Sequence, residues 1–462
     1  MARISPWNDA RVGARGLTSV RYQTFVWRRP LKGGDDYFGY MRVGQRVALK
    51  SEEKVDGQGC PKGFYRVEPA GFVCDDATVS RSEDTPFLAA NRLTRPRDTA
   101  FPYDWAISNG APMYARLPDP DEQRRVENRH GKVGVWHPLP KFSRGHEHLA
   151  VLDPIASVDP QPAFLAGGRG PRGPVMSLVR KSVPHGTLFA YTRAFDHGGR
   201  TFLLSADLTL VPADRVRRFR RSRHHGVELG PEVHLPRAWI RAEARPVYRR
   251  EDDAFVATDQ TFALRSHVGL TGAEVTQGER RFLETEAGDW IAAADATVVR
   301  ARDDYPYGVR RGDKWMLVSL SAGTLVAYED LTPVFTTLIS PGRGGLPIKG
   351  RNPVEDATTP TGSFKVTFKD RAATMASEFG QGRKFWVADV PFTQYFSPPF
   401  ALHGAYWHEK FGEPMSAGCI NASPLDAAWL FGWTAPEVPP GWQGIVGNAD
   451  PGAAATWVIV TR

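Results

Sequence analysis

Cys419 has the setting of a reactive thiol. It stands far from the other two cysteines, Cys60 and Cys74, and two imidazoles precede it, His403 by sixteen residues and His408 by eleven. A thiol at neutral pH is mostly protonated while the thiolate is the nucleophile, so such a cysteine needs a nearby base or positive charge. One loop folding back can bring either histidine to it. Gly418, immediately before it, permits backbone conformations closed to other residues. Successive amides at such a bend can converge on a developing oxyanion. Downstream, Ser423-Pro-Leu-Asp426 reads as a helix start, with Ser423 as the N-cap and proline in the first turn. The thiol lies four residues before that cap, so the helix dipole offers only modest help to a thiolate.

The order of these groups narrows the chemistry. Papain-like enzymes place Cys before His, whereas here His comes first. Sortases also place His first, but with a longer gap and an Arg after the Cys motif, where this chain has Asn421. His403-Gly404 followed by Ser416-Ala417-Gly418-Cys419-Ile420-Asn421 resembles the signature of the L,D-transpeptidase family. The intervening Tyr406-Trp407-His408 and the upstream Thr359-Pro-Thr-Gly-Ser-Phe364 add to the likeness. It covers residues 313–462, a third of the chain.

The resemblance implies that Cys419 is the acyl-accepting nucleophile, with His403 as its base. The carbonyl of Gly404 would orient the imidazole, and the amides of Gly418 and Cys419, with Ala417, would form the oxyanion hole. Ser416, Asn421, His408, Trp407 and Tyr406 would lie near substrate. One departure stands out: Ala417 occupies a position where the family usually has a second His. Either His408 compensates or acceptor preference is altered. The implied substrates are peptidoglycan stem peptides. The thiolate would attack the L-centre carbonyl of diaminopimelate in a tetrapeptide, releasing D-Ala, and an amine would then resolve the thioester. Water as acceptor would make a carboxypeptidase, and a decayed wall-binding scaffold is the non-enzymatic rival. Carbapenem acylation is a further implication. The resemblance implies no cofactor and no metal.

The elements expected to carry these residues are mainly strands. Lys314–Leu320 and Gly323–Tyr328 read as a hairpin around Ser321-Ala322, followed by strands at Val334–Ile339 and after Thr358. The expected fold is mainly β and multidomain, with a β-sandwich catalytic domain carrying short helices. Residues 1–18 are polar, arginine-rich and expected to be disordered. Residues 19–82 alternate short apolar runs with turns and resemble bacterial Src-homology-type small β-barrels. Residues 83–240 are left as a mixed region, with a Pro/Gly-rich linker over 140–175 and a hairpin around Asp196-His-Gly-Gly199. Residues 241–312 suggest a second small β-module, related to the first by texture rather than by any clean repeat.

A net charge of +8 favours acidic partners. Composition alone cannot separate nucleic acid from an anionic wall polymer; the catalytic motif favours the wall. The run Arg215-Val-Arg-Arg-Phe-Arg-Arg-Ser-Arg223 is expected to be a solvated, mobile segment. His146-Glu-His148 and His224-His225 lack the spacing of a metal site. Three cysteines suggest a Cys60–Cys74 disulfide plus one free thiol, the alternative being two reduced buried cysteines. A disulfide implies an oxidising compartment. The expected location is therefore the periplasm or cell envelope, although Met1-Ala-Arg-Ile-Ser-Pro has no apolar signal core. No apolar run is long enough to span a membrane. Oligomeric state is not encoded legibly.

Overall fold

A computed structural model describes residues 15–34, 36–82, 85–140, 143–165, 182–376, 386–447 and 454–462. The protein is mainly β, and its C-terminal third is built on two sheets. The first runs through Val227–Glu228, Thr332–Leu338, Thr324–Glu329, Lys314–Ser319, Trp457–Thr461 and Gly362–Lys365. The expected hairpin is its centre, with Trp315 opposite Tyr328 and their rings stacked at 4.0 Å. The second runs through Tyr37–Met41, Gly444–Val446, Phe368–Ala376, Trp386–Ser397, Phe400–Gly404 and Ile420–Ala422. Between them lies one core, where Met316, Val318, Leu325 and Phe335 meet Phe392, Leu402, Ile420 and helix residues Leu430 and Phe431. That helix spans Pro424–Trp433, and its N-cap Ser423 accepts from the Asp426 amide at 3.0 Å.

These sheets ignore the boundary at residue 313. Val227–Glu228 forms an edge of the first, and Tyr37–Met41 extends the second. Leu188 pairs with Val387 in parallel.

The upstream chain contains three units of one design, correcting the view that only texture relates them. In each, the first strand lies between the second and the last, antiparallel to both. Gly16–Ser19 pairs with Arg46–Val55 and Val79–Ser80. Asp104–Ser108 pairs with Leu188–His197 and Val216–Arg218. Arg237–Trp239 pairs with His267–Gln277 and Thr297–Val299. The second strand then pairs with the third and the third with the fourth, in the same register each time: Phe64 opposes Cys74, Phe202 opposes Pro212 and Phe282 opposes Ala292. All three phenylalanines are buried. Each of these phenylalanines sits in a small apolar cluster of its own unit.

Several expectations are corrected. Order begins before residue 19, because Gly16–Ser19 is a paired strand; residues 1–14 lie outside the described residues, as does Gly167–Pro174 of the linker. The third unit begins at Arg237 rather than 241, and the region 83–240 contains the second unit. The arginine run is not a mobile segment. Arg215 is buried against Glu127 at 2.6 Å, Val216–Arg218 is a strand, and the Arg217 guanidinium stacks 3.9 Å from the Trp136 ring. Cys60 and Cys74 are disulfide-bonded, and Cys419 is free. Among the described residues no helix is long and apolar enough to cross a membrane.

Candidate active site

The spacing between His403 and Cys419 has a topological cause. Phe400–Gly404 and Ile420–Ala422 are adjacent parallel strands, and parallel neighbours require a crossover connection. Residues 405–419 are that crossover, made of loop rather than helix. Its return sets Leu402 beside Ile420 and His403 beside Asn421. Cys419 lies one step before this ladder, near the Ala401 backbone, which draws its thiol downward. Alternate residues of a strand share a face, and paired neighbours share it too. Ala401, His403 and Asn421 therefore point to the same side, and Cys419 enters this strand pair from one residue before Ile420. Diagonal neighbours on one face are roughly 7–8 Å apart at the backbone, a gap that a thiol and an imidazole can close.

The bend before Cys419 requires its glycine. Gly418 has a φ of 126°, and a Cβ there would stand 2.4 Å from the Phe400 ring and 3.0 Å from the Thr358 carbonyl. The two motif blocks thus pack together: Thr359 Oγ1 accepts from the Gly342 amide at 2.9 Å, and Gly342 bridges to Ser416. Ser416 Oγ accepts from the Gly418 amide at 3.0 Å and donates to the Cys419 carbonyl. This corrects the expectation for Gly418, whose amide is already engaged. The Ala417 and Cys419 amides have no acceptor among the described residues, which leaves them as candidate oxyanion donors.

The electrostatics describe a neutral resting pair. Burial pushes the Cys419 thiol up to about 11, with the Ala401 backbone acting the other way. Burial also holds the His403 imidazole down at about 4, opposed by its contact with the Gly404 carbonyl. His403 Nδ1 lies 3.4 Å from that carbonyl. With Nδ1–H donating there, Nε2 is left unprotonated and able to accept a proton. Gly404 itself is tightly packed, since a Cβ would meet Pro391 Cγ at 3.0 Å.

His408 cannot replace this base. It is fully buried, and its Nδ1 accepts from the Lys410 amide at 3.2 Å. Its Nε2, 2.9 Å from the Asn421 side-chain amide, must then carry the hydrogen. The Asn421 oxygen has to face it, which also gives that otherwise unpaired buried oxygen a partner. Burial, with the neighbouring imidazoles and Arg265 acting the same way, holds the His408 imidazole well below its ordinary value.

Tyr406 and Trp407 do not line an open substrate surface either. Tyr406 is 2% exposed, stacks on Trp105 at 4.3 Å and donates to the Ala388 carbonyl at 2.9 Å. Trp407 is buried between His146, at 5.5 Å, and His403, at 5.8 Å. The second unit thereby clamps the crossover loop, a role that sequence reading missed for Trp105 and His146. Burial holds His146 at about 4. His225 is instead bonded to Asp426 at 2.8 Å. No group of three or more His, Cys, Asp or Glu side chains converges among the described residues.

Tyr395 was also missed. It pairs with Ala401 from the next strand, on the face that bears Cys419, and a charge on that sulfur reaches its hydroxyl. Alternation within Trp386–Ser397 was the signal that could have found it.

Residues 313–460 match the family described as YkuD, L,D-transpeptidase catalytic domain. That stretch of the chain is an L,D-transpeptidase catalytic domain. Similar solved structures include an L,D-transpeptidase from Xylanimonas cellulosilytica, at 26% identity over 34% of this chain and 65% of that one, with a TM-score of 0.22. The catalytic domain of an E. faecium L,D-transpeptidase is 23% identical over 33% of this chain and 100% of that one, with a TM-score of 0.23. An L,D-transpeptidase from Mycobacterium tuberculosis H37Rv is 16% identical over 48% and 79%, with a TM-score of 0.23. The match to the first of these spans slightly less than two thirds of its length. No curated protein matches the chain.

Proposed function

We propose that this chain is a peptidoglycan L,D-transpeptidase working through a thioester on Cys419. This reading is supported by the parallel pairing that sets His403 beside Asn421, two residues after Cys419, with His403 Nδ1 turned toward the Gly404 carbonyl.

In the first half-reaction, His403 Nε2 takes the thiol proton as sulfur bonds to the carbonyl carbon at the L-centre of diaminopimelate. The amides of Cys419 and Ala417 hold the oxyanion. Collapse breaks the C–N bond, and D-Ala leaves with the proton from the imidazolium. In the second, an amine from another stem attacks the thioester carbonyl while His403 takes its proton. The C–S bond then breaks and the sulfur recovers that proton. Water in place of the amine gives hydrolysis. Because both partners rest neutral, proton transfer accompanies attack rather than preceding it.

The Cys60–Cys74 disulfide supports an exported, wall-facing location. Incubation with a stem tetrapeptide tests the function. Release of D-Ala with a cross-linked dimer is expected, release with hydrolysed tripeptide alone would assign a carboxypeptidase, and no release would reject both. Carbapenems should acylate the same sulfur.

A further inference from the structure

An aromatic ledge crosses the active face from the nucleophile to the N-terminal unit. Phe368 pairs with Tyr395, which pairs with Ala401, the neighbour of Cys419, so the row Phe368, Tyr395, Ala401, Cys419 runs straight across the strands. The next strand, Gly444–Val446, presents no side chain at Gly444. A Cβ there would meet Phe368 Cζ and Tyr40 Cε1 at 2.9 Å each. The Phe368 and Tyr40 rings therefore lie over bare backbone, nearly parallel at 13° with centroids 6.3 Å apart, and Phe368 is 6.0 Å from Tyr395. Tyr40 comes from the N-terminal unit, whose strand Tyr37–Met41 joins the sheet at Gly444. Its hydroxyl donates to Asp370 at 2.6 Å, and that carboxylate also accepts from Gln443 and the Ala372 amide. The ring is held in place and Asp370 is occupied. Tyr40, Phe368 and Tyr395 each keep part of their surface exposed.

We infer that this ledge is the subsite for the sugar rings of the glycan strand that carries the stem peptide. The reasoning rests on the transpeptidase reading for the identity of the substrate. The ledge's chemistry selects the sugar over the peptide. The strands beneath it are paired on both sides, so their backbones have no free edge for an extended peptide. What remains is a row of uncharged ring faces. These suit the apolar face of a pyranose, whose hydroxyls stay in water. The N-terminal unit then has a function beyond support: it supplies the outermost ring of the site.

The test compares substrates with and without sugar. In Phe368→Ala and Tyr40→Ala, KM for a disaccharide-tetrapeptide should rise about tenfold. KM for the free tetrapeptide and the rate of carbapenem acylation should stay near wild type. Tyr40→Phe, which keeps the ring, should restore affinity for the disaccharide-tetrapeptide. Equal losses on both substrates, or none on either, would overturn the inference. Peptide-free glycan oligomers titrated onto the uncleaved full chain supply a readout independent of catalysis. Binding that weakens in Phe368→Ala supports the ledge even if tetrapeptide turnover is absent. Binding unchanged in that variant removes the ledge whatever the turnover.

Discussion

Ser416 Oγ accepts the Gly418 amide and so locks the turn that presents Cys419. Ser416→Ala removes this brace and leaves a buried amide unpaired. We expect a stability loss of about 1–2 kcal/mol and a fall in kcat of at least tenfold, with KM little changed. Thermal melts and steady-state kinetics on the tetrapeptide check this. A variant with normal kcat would mean the turn is held by its glycine alone.

The neutral resting pair makes a pH prediction. With the thiol near 11 and the imidazole near 4, both are uncharged across the neutral range. The acid limb of kcat/KM should fall near pH 4, where His403 gains a proton, well below the limb an ordinary imidazole gives at about 6.5. Alkylation of Cys419 by iodoacetamide in the free enzyme should be slow at pH 7 and climb toward pH 11. Fast alkylation at pH 7 would show a preformed thiolate instead.

Tyr406 tests the clamp between the second unit and the catalytic loop. Tyr406→Ala removes the ring stacked on Trp105 and should cost about 3–5 kcal/mol. Activity should fall with it, because the loop carries Trp407 against His403. Tyr406→Phe loses only the bond to Ala388, about 1 kcal/mol, and should stay active. Denaturant unfolding of both variants measures the contrast.

The His225–Asp426 pair ties residues before the catalytic domain to the helix after Cys419. The bond to Asp426 raises His225, although burial opposes it. At Asp426, burial pushes upward, but the contacts with His225, His224, Gly226 and Thr337 outweigh it and lower the carboxyl. The raised imidazole stabilises the fold below its ordinary value of 6.5, an effect lost as pH rises through the raised value. The lowered carboxyl stabilises it above 3.8, an effect lost as pH falls through the lowered value. The advantage over Asp426→Ala should therefore be largest between those two values, about 3 kcal/mol, and shrink above them. Melting temperatures across pH report it; a flat difference would mean His225 is not charged.

Legibility in the sequence followed locality. The Lys314–Leu320 hairpin, the Ser423 cap and the His403-to-Cys419 order depend on neighbours within one segment, and each could be read from residue type and spacing. The three-unit repeat was also written there, as Phe64/Val73, Phe202/Val211 and Phe282/Ile291. It was hidden because the connecting segments differ in length and the rest of each unit diverges. Tyr406 and Trp407 misled for another reason. Their position in the motif suggested a substrate surface, whereas their burial comes from Trp105 and His146, far upstream. Tyr40 is farther still, 330 residues from the Asp370 it bonds. Contacts of that kind leave no periodicity to find.

The central claim is acylation of Cys419 with His403 as base, and intact-mass spectrometry during reaction with a stem tetrapeptide measures it directly. The account predicts one acyl adduct lacking D-Ala, mapped to Cys419, absent in Cys419→Ala and formed at least about a hundredfold more slowly in His403→Ala. An adduct persisting in Cys419→Ala, or forming at the wild-type rate in His403→Ala, would contradict it.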